Sequence, residues 1–335
     1  MKFRHLALAA GCTMTLSADI ALAACGSSDT GLIAFEVDTH TILGFVPESA
    51  GNSPVPMVLN LHPTGGSGLR SLNDARPIAE KEGFIMIAPT GAVGPIFSGW
   101  TWNVPGVPTF GAGNYPPEDT RDEVAFLEAV IEKAKEVACI DETRIYAMGY
   151  SGGARMTSRL ACDLADQLAA VAPIAGIRFS LASDSEFGLP HALDCTPARP
   201  VPIMALHGYW DPTNPWFDTA LGETPFDKAD GSGKVISPAP KQGTSWSYSG
   251  EEALERWVAH NGCEPVAKVT DVTDDVERHD YLGCDAGGDV SLMFFEKGGH
   301  AVPGYNTAWG PGQGTSEFNG FQVAWDLMKG YSLNE

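Results

Sequence analysis

The chain has 335 residues, 44% of them apolar, with 38 glycines and 24 prolines, a size and composition that suit a folded globular protein and not a disordered one. Its formal charge of −21 excludes nucleic acid or an anionic membrane surface as the main partner, since both require a basic face. A neutral or weakly charged substrate is the expectation.

Residues 1–24 open with Lys2 and Arg4, continue through an apolar run and end in small residues at Ala21-Leu22-Ala23, the layout of a secretory signal peptide. The run is too short and too interrupted by Asp19 for a membrane span, and none of the later runs is long enough. The mature chain, residues 25–335, is expected to be exported as one catalytic domain without a membrane span. Leu22-Ala23-Ala24-Cys25 also reads as a lipoprotein box, which leaves a minor alternative in which Cys25 carries a lipid anchor. Removing Cys12 with the signal leaves Cys25, Cys139, Cys162, Cys195, Cys263 and Cys284, an even set that suits three disulfides in an oxidising compartment. The pairing is open, although Cys263 with Cys284 closes the shortest loop that avoids the middle of a sheet. No CxxC or HExxH occurs, and neither a metal nor a cofactor is expected.

In chain order, 55–61 (VPMVLNL), 84–88 (FIMIA), 144–148 (RIYAM), 201–206 (VPIMAL) and 290–295 (VSLMFF) are short, nearly continuous apolar runs, as expected of strands buried on both faces. Helical patterns lie between them near 72–82, 122–138, 152–164, 251–260 and 316–330. Thr120 and Glu123 stand in capping-box spacing before the second, which carries Val124, Leu127, Val130, Ile131 and Ala134 on one face. Alternating strands and helices predict an α/β fold with a mostly parallel central sheet and helices on both faces, holding its ligand beyond the carboxyl ends of the strands.

Gly149-Tyr150-Ser151-Gly152-Gly153 fits G-x-S-x-G where a strand ends and a helix begins, the setting that exposes a nucleophilic serine on a sharp turn. A serine before a helix is also a common cap, so the partners matter. They are expected in the order Ser, acid, His. His260 sits in a helical segment and His279 in a charged stretch, whereas His300 follows the 290–295 strand on a Gly-Gly turn and is the candidate base. Asp211, just past the 201–206 strand among prolines and aromatics, is the candidate acid ahead of Asp218; an Asp-Pro turn is the plainer account of it. Negative charge developing on a carbonyl oxygen needs N–H donors. Gly152, after the serine, is the first candidate, and Thr64 in NLHPTGGSG the second, because Pro63 has no N–H. That loop lacks GK[ST] and shows no evident helix start, which argues against phosphate.

These residues carry a resemblance. LHPTGGSG, DEVAFLEAVI, CIDETRIYAMGYSGGARMTSRLACD, CTPARPVPIMALHGYWDP, RWVAHNGC and EKGGHAVPG run in order from about residue 55 to the C-terminal helix and are similar to stretches of secreted α/β-hydrolase esterases grouped with feruloyl esterases and polyhydroxybutyrate depolymerases. The resemblance implies the α/β-hydrolase fold, with Ser151, Asp211 and His300 as nucleophile, acid and base. It departs at His62-Pro63, where the family usually has His-Gly, and this puts the second oxyanion donor in question.

Trp100 and Trp102, with Trp210 and Trp216 near the candidate acid, are expected either to line a flat pocket for an aromatic acyl group or sugar ring, or to be core and loop anchors. The Gly/Ser/Pro-rich stretch 218–250 is expected to be a rim or lid loop. The expected substrate is a small ester, or one derived from a polysaccharide or polyester, first of all a feruloyl ester of plant cell-wall polysaccharide. Polyhydroxybutyrate depolymerase and acetylxylan esterase are the alternatives, the first weakened by the absence of a binding module after the last helix. A non-catalytic hydrolase-fold binding protein is the reading from another class.

Overall fold

The computed structural model describes residues 25, 29–50, 53–105, 107, 116–179, 195–217, 249–304, 314 and 317–334. The expected signal peptide and nearly all of the expected rim loop, 218–248, lie outside the described residues.

Ten described strands form one sheet: β1 (Gly31–Val37), β2 (His40–Val46), β3 (Val55–Leu61), β4 (Ile85–Ala88), β7 (Ile140–Tyr150), β8 (Ala170–Ile174), β9 (Ile203–Gly208), β10 (Lys268–Thr273), β11 (Val276–Tyr281) and β12 (Val290–Phe295). Between β4 and β7 stands a separate hairpin of β5 (Val93–Ile96) and β6 (Gly99–Thr101). The sheet order is β1-β2-β4-β3-β7-β8-β9-β12-β11-β10. From β4 to β12 all neighbours are parallel, and an antiparallel pair closes each edge. The apolar runs read from sequence are β3, β4, the second half of β7, β9 and β12. β8, β9 and β12 are buried at every position, the condition under which a strand loses its alternating pattern. The edge pairs were not evident from apolar runs because β1 alternates exposed with half-buried or buried residues and β10 is exposed almost throughout.

The helices are α1 (Gly68–Glu82), α2 (Glu123–Val137), α3 (Gly152–Asp163), α4 (Gly250–His260) and α5 (Gly320–Met328). Side chains alternate across β3, so Met57, Leu59 and Leu61 join the core beneath α2, α3 and α4 while Val58 joins the one beneath α1 and α5. Helices therefore cover both faces, as expected for the α/β-hydrolase fold.

Two local expectations are corrected. Asp122, not Thr120, caps α2, its carboxylate accepting from the N–H groups of Val124 and Ala125. Glu123 does not complete a capping box; it is buried, pairs with Arg121 and accepts from the Ala92 N–H at 2.7 Å. A helix does start within the glycine-rich loop, at Gly68, because the Ser67 hydroxyl accepts from the Arg70 N–H.

The six cysteines pair as Cys25–Cys139, Cys162–Cys195 and Cys263–Cys284. The first bridge corrects the lipoprotein alternative, since a sulfur in a disulfide cannot also carry the thioether of a lipid anchor. Among the described residues no helix is long and apolar enough to cross a membrane.

Candidate active site

Ser151 sits between β7 and α3 with φ 55° and ψ −112°, a left-handed turn that a serine adopts only when the surroundings impose it. Close packing imposes it here. A Cβ on Gly153 would stand 2.0 Å from the Leu61 carbonyl oxygen, and one on Gly149 2.5 Å from the Gly153 carbonyl. Glycine at both positions lets β3, β7 and α3 close around the turn.

Asp211 follows β9 and His300 follows β12, so parallel strands carry both to the same end of the sheet as Ser151. The Ser151 hydroxyl lies 2.9 Å from His300 Nε2, and His300 Nδ1 lies 2.7 Å from Asp211 Oδ2. All three side chains are buried. Asp211 Oδ1 accepts from the N–H groups of Thr213 and Asn214, both at 2.8 Å. Burial pushes the Asp211 carboxyl up, but the His300 charge, its hydrogen bond, His207 and the Asn214 N–H together hold it below the ordinary carboxylate value. Asn214 is the hub behind the acid. Its side chain accepts from Arg178 and donates to the Ala175 carbonyl, and its own carbonyl faces His207 Nε2 at 2.8 Å. Arg155, one turn into α3, is buried close by, and burial with neighbouring Arg178 pushes its guanidinium down to about 9 against the pull of Asp211.

Thr64 and Gly152 come together. A Cβ on Gly152 would stand 3.0 Å from Thr64 N and 2.5 Å from Thr64 Oγ1, so only glycine lets the loop approach the start of α3. In the loop, Gly65 N–H donates to the Trp100 carbonyl and Gly66 N–H to the Pro63 carbonyl, so both are engaged within the fold. The His62-Pro63 departure is accommodated by His62 itself. Its Nδ1–H donates to the Pro63 carbonyl at 2.8 Å, its Nε2 accepts from the Gly91 N–H at 3.0 Å, and burial lowers its pKa to about 4, so the neutral ring clamps the loop.

The tryptophans divide. Trp102 is not a pocket wall: it is 2% exposed, its Nε1–H donates to the His62 carbonyl, and its ring lies 4.8 Å from the His62 ring. Trp216 is likewise buried, against His207 and Phe294. Both anchor loops around the site. Trp210 is half-buried and held by its N–H to the Gly298 carbonyl, while Trp100 is exposed. Sequence reading missed Thr101, whose hydroxyl meets that of Thr64 at 2.8 Å, and Asn214, neither of which has a motif to announce it. Tyr150 lay inside the serine motif, yet nothing there signalled its hydrogen bond to the His300 carbonyl.

A strained serine after a central parallel strand, with a histidine and a carboxylate from later strands in hydrogen-bond contact, is set in a sheet of the α/β-hydrolase fold. No family model matches the chain. It is 29% identical to feruloyl esterase B of Piromyces equi over 87% of this chain and 45% of that protein, and 26% identical to a probable feruloyl esterase C of Aspergillus niger over 54% and 52%. The chain thus spans about half the length of these curated relatives. Its fold is shared with an acetyl xylan esterase from Aspergillus awamori, at a TM-score of 0.52 and 15% identity, covering 82% of this chain and 95% of that one. The chain is thus similar in sequence to proteins named feruloyl esterases and shares the α/β-hydrolase fold of the acetyl xylan esterase.

Proposed function

We propose that the protein is a secreted serine esterase that cleaves hydroxycinnamoyl esters of plant cell-wall polysaccharide, with Ser151 as nucleophile, His300 as base and Asp211 as acid. The unbroken hydrogen-bond path from Asp211 through His300 to Ser151 carries the reading. The names of the relatives support the choice of acyl group.

His300 Nε2 accepts the proton of the Ser151 hydroxyl as Oγ attacks the ester carbonyl, while Nδ1–H donates to Asp211, whose charge stabilises the imidazolium. The N–H groups of Thr64 and Gly152 donate to the oxyanion. As the intermediate collapses, His300 delivers the proton to the leaving alcohol; water then repeats the attack on the acyl-enzyme with His300 again as base. The three disulfides support export, with residues 1–24 as the signal.

Initial rates on methyl ferulate, an acetylated xylan fragment and a soluble hydroxybutyrate oligomer test the proposal, with Ser151→Ala as control. Serine-dependent hydrolysis led by methyl ferulate is the expected result. Preference for either of the others would move the substrate, and equal rates for wild type and Ser151→Ala would overturn the mechanism.

A further inference from the structure

The β5–β6 hairpin holds two aromatic side chains at the surface beside the proposed oxyanion loop. Phe97, between the two strands, is 71% exposed and has φ +54°, and Trp100 in β6 is 40% exposed. A bulky side chain in the left-handed region is strained.

The hairpin is tied to the loop in fixed register. Gly65 N–H donates to the Trp100 carbonyl at 2.9 Å, Trp100 N–H donates to the Gly66 carbonyl at 2.8 Å, and Thr64 and Thr101 meet through their hydroxyls. A Cβ on Gly65 would stand 3.1 Å from the Phe97 ring, and one on Gly94 2.5 Å from the Trp100 ring. Both rings therefore lie against glycines whose lack of a side chain makes room for them. The surrounding sequence is uncharged: from Glu82 to Glu118 no Asp, Glu, Lys or Arg intervenes, in a chain with 42 acidic and 21 basic residues.

Strand order sets the hairpin-linked loop and the histidine on opposite sides of Ser151. β3, which leads to Thr64, flanks β7 on one side, and β8 lies on the other, followed by β9 and β12, which lead to Asp211 and His300 respectively. The leaving alcohol must sit on the His300 side to receive its proton and the oxyanion faces Thr64 and Gly152, so an acyl group that extends away from the histidine can meet the hairpin bordering the oxyanion loop. We propose that Phe97 and Trp100 form an acyl-binding platform for the flat apolar ring of an aromatic acyl group. The proposal rests on the ester-hydrolase reading above. A sugar ring fits less well, because sugars are held by an aromatic face together with charged or amide side chains, and the hairpin carries none.

The test compares kcat/KM for methyl ferulate and for ethyl acetate in wild type, Phe97→Ala and Trp100→Ala. The ratio of the two is expected to fall about tenfold or more in each variant, through KM for methyl ferulate. An unchanged ratio, or a loss that appears only when the ferulate is esterified to arabinose, would overturn the platform. Binding of methyl ferulate to Ser151→Ala by calorimetry separates this from the parent reading: adding Phe97→Ala is expected to weaken it about fivefold or more, whether or not wild type turns the ester over. Equal affinity with and without Phe97 would reject the platform even in an active esterase.

Discussion

The Tyr150 hydroxyl donates to the His300 carbonyl oxygen at 3.0 Å, and the two rings lie 5.1 Å apart at a tilt of 32°. Tyr150 directly precedes Ser151, so the strand end that presents the serine also holds the loop that presents the histidine. Tyr150→Phe is expected to lower kcat about three- to tenfold with KM changed less than twofold, and to lower stability by about 1 kcal/mol. Steady-state kinetics with urea unfolding checks both. A change confined to stability would make the bond structural alone.

Asp211→Asn keeps the shape of the acid but cannot accept from His300 Nδ1–H in the same way, and kcat is expected to drop about 10⁴-fold. The carboxyl is held below its ordinary value, so its stabilising contribution is complete above about pH 4 and is lost as pH falls through the lower folded value. The variant's unfolding midpoint should accordingly vary less than wild type's below pH 4.

His62 supplies a second acid sensitivity, at higher pH. Its pKa is about 4 in the fold and 6.5 when free, so the unfolded chain binds the proton first and stability declines as pH falls from 6.5 towards 4. Between pH 7 and pH 5 this amounts to about 2 kcal/mol. Burial lowers the pKa of His207 and acts in the same direction. Urea midpoints across this range for wild type and His62→Gln measure the share of His62, expected as a shallower slope in the variant.

The bridges span 114, 33 and 21 residues, and the chain-entropy argument ranks them in that order at about 3–5 kcal/mol each. Thiol titration of the unreduced mature protein should find none of the six cysteines free. Serine pairs replacing each bridge singly should lower the melting temperature most for Cys25–Cys139.

How much was legible in the sequence depended on whether a residue's role is local. Parallel strands β3, β4, β7, β9 and β12 were readable because a strand buried on both faces must be apolar throughout, whereas β8, equally buried but short and rich in alanine, was not read; Ser151, Asp211 and His300 stood out as candidates because each lies within five residues of the end of a strand that was read. The edge strands escaped because one face is solvated and their residues mix. The cap of α2 was placed two residues early because Thr120 and Asp122 are both cap formers, and only the backbone shows which one faces the free N–H groups.

Burial is the property that a single sequence conceals best. Trp100 and Trp102 are two residues apart, yet one is 40% exposed and the other 2%, because their strand-like spacing leaves open which neighbour covers each ring. The same holds for Thr64, Gly152, Thr101 and the cysteine pairs. Linear order carries the candidate serine, acid and base and the alternation of strand and helix; contacts between distant segments, made only when the sheet closes, set which side chains meet, which sulfurs pair and which aromatic rings remain at the surface.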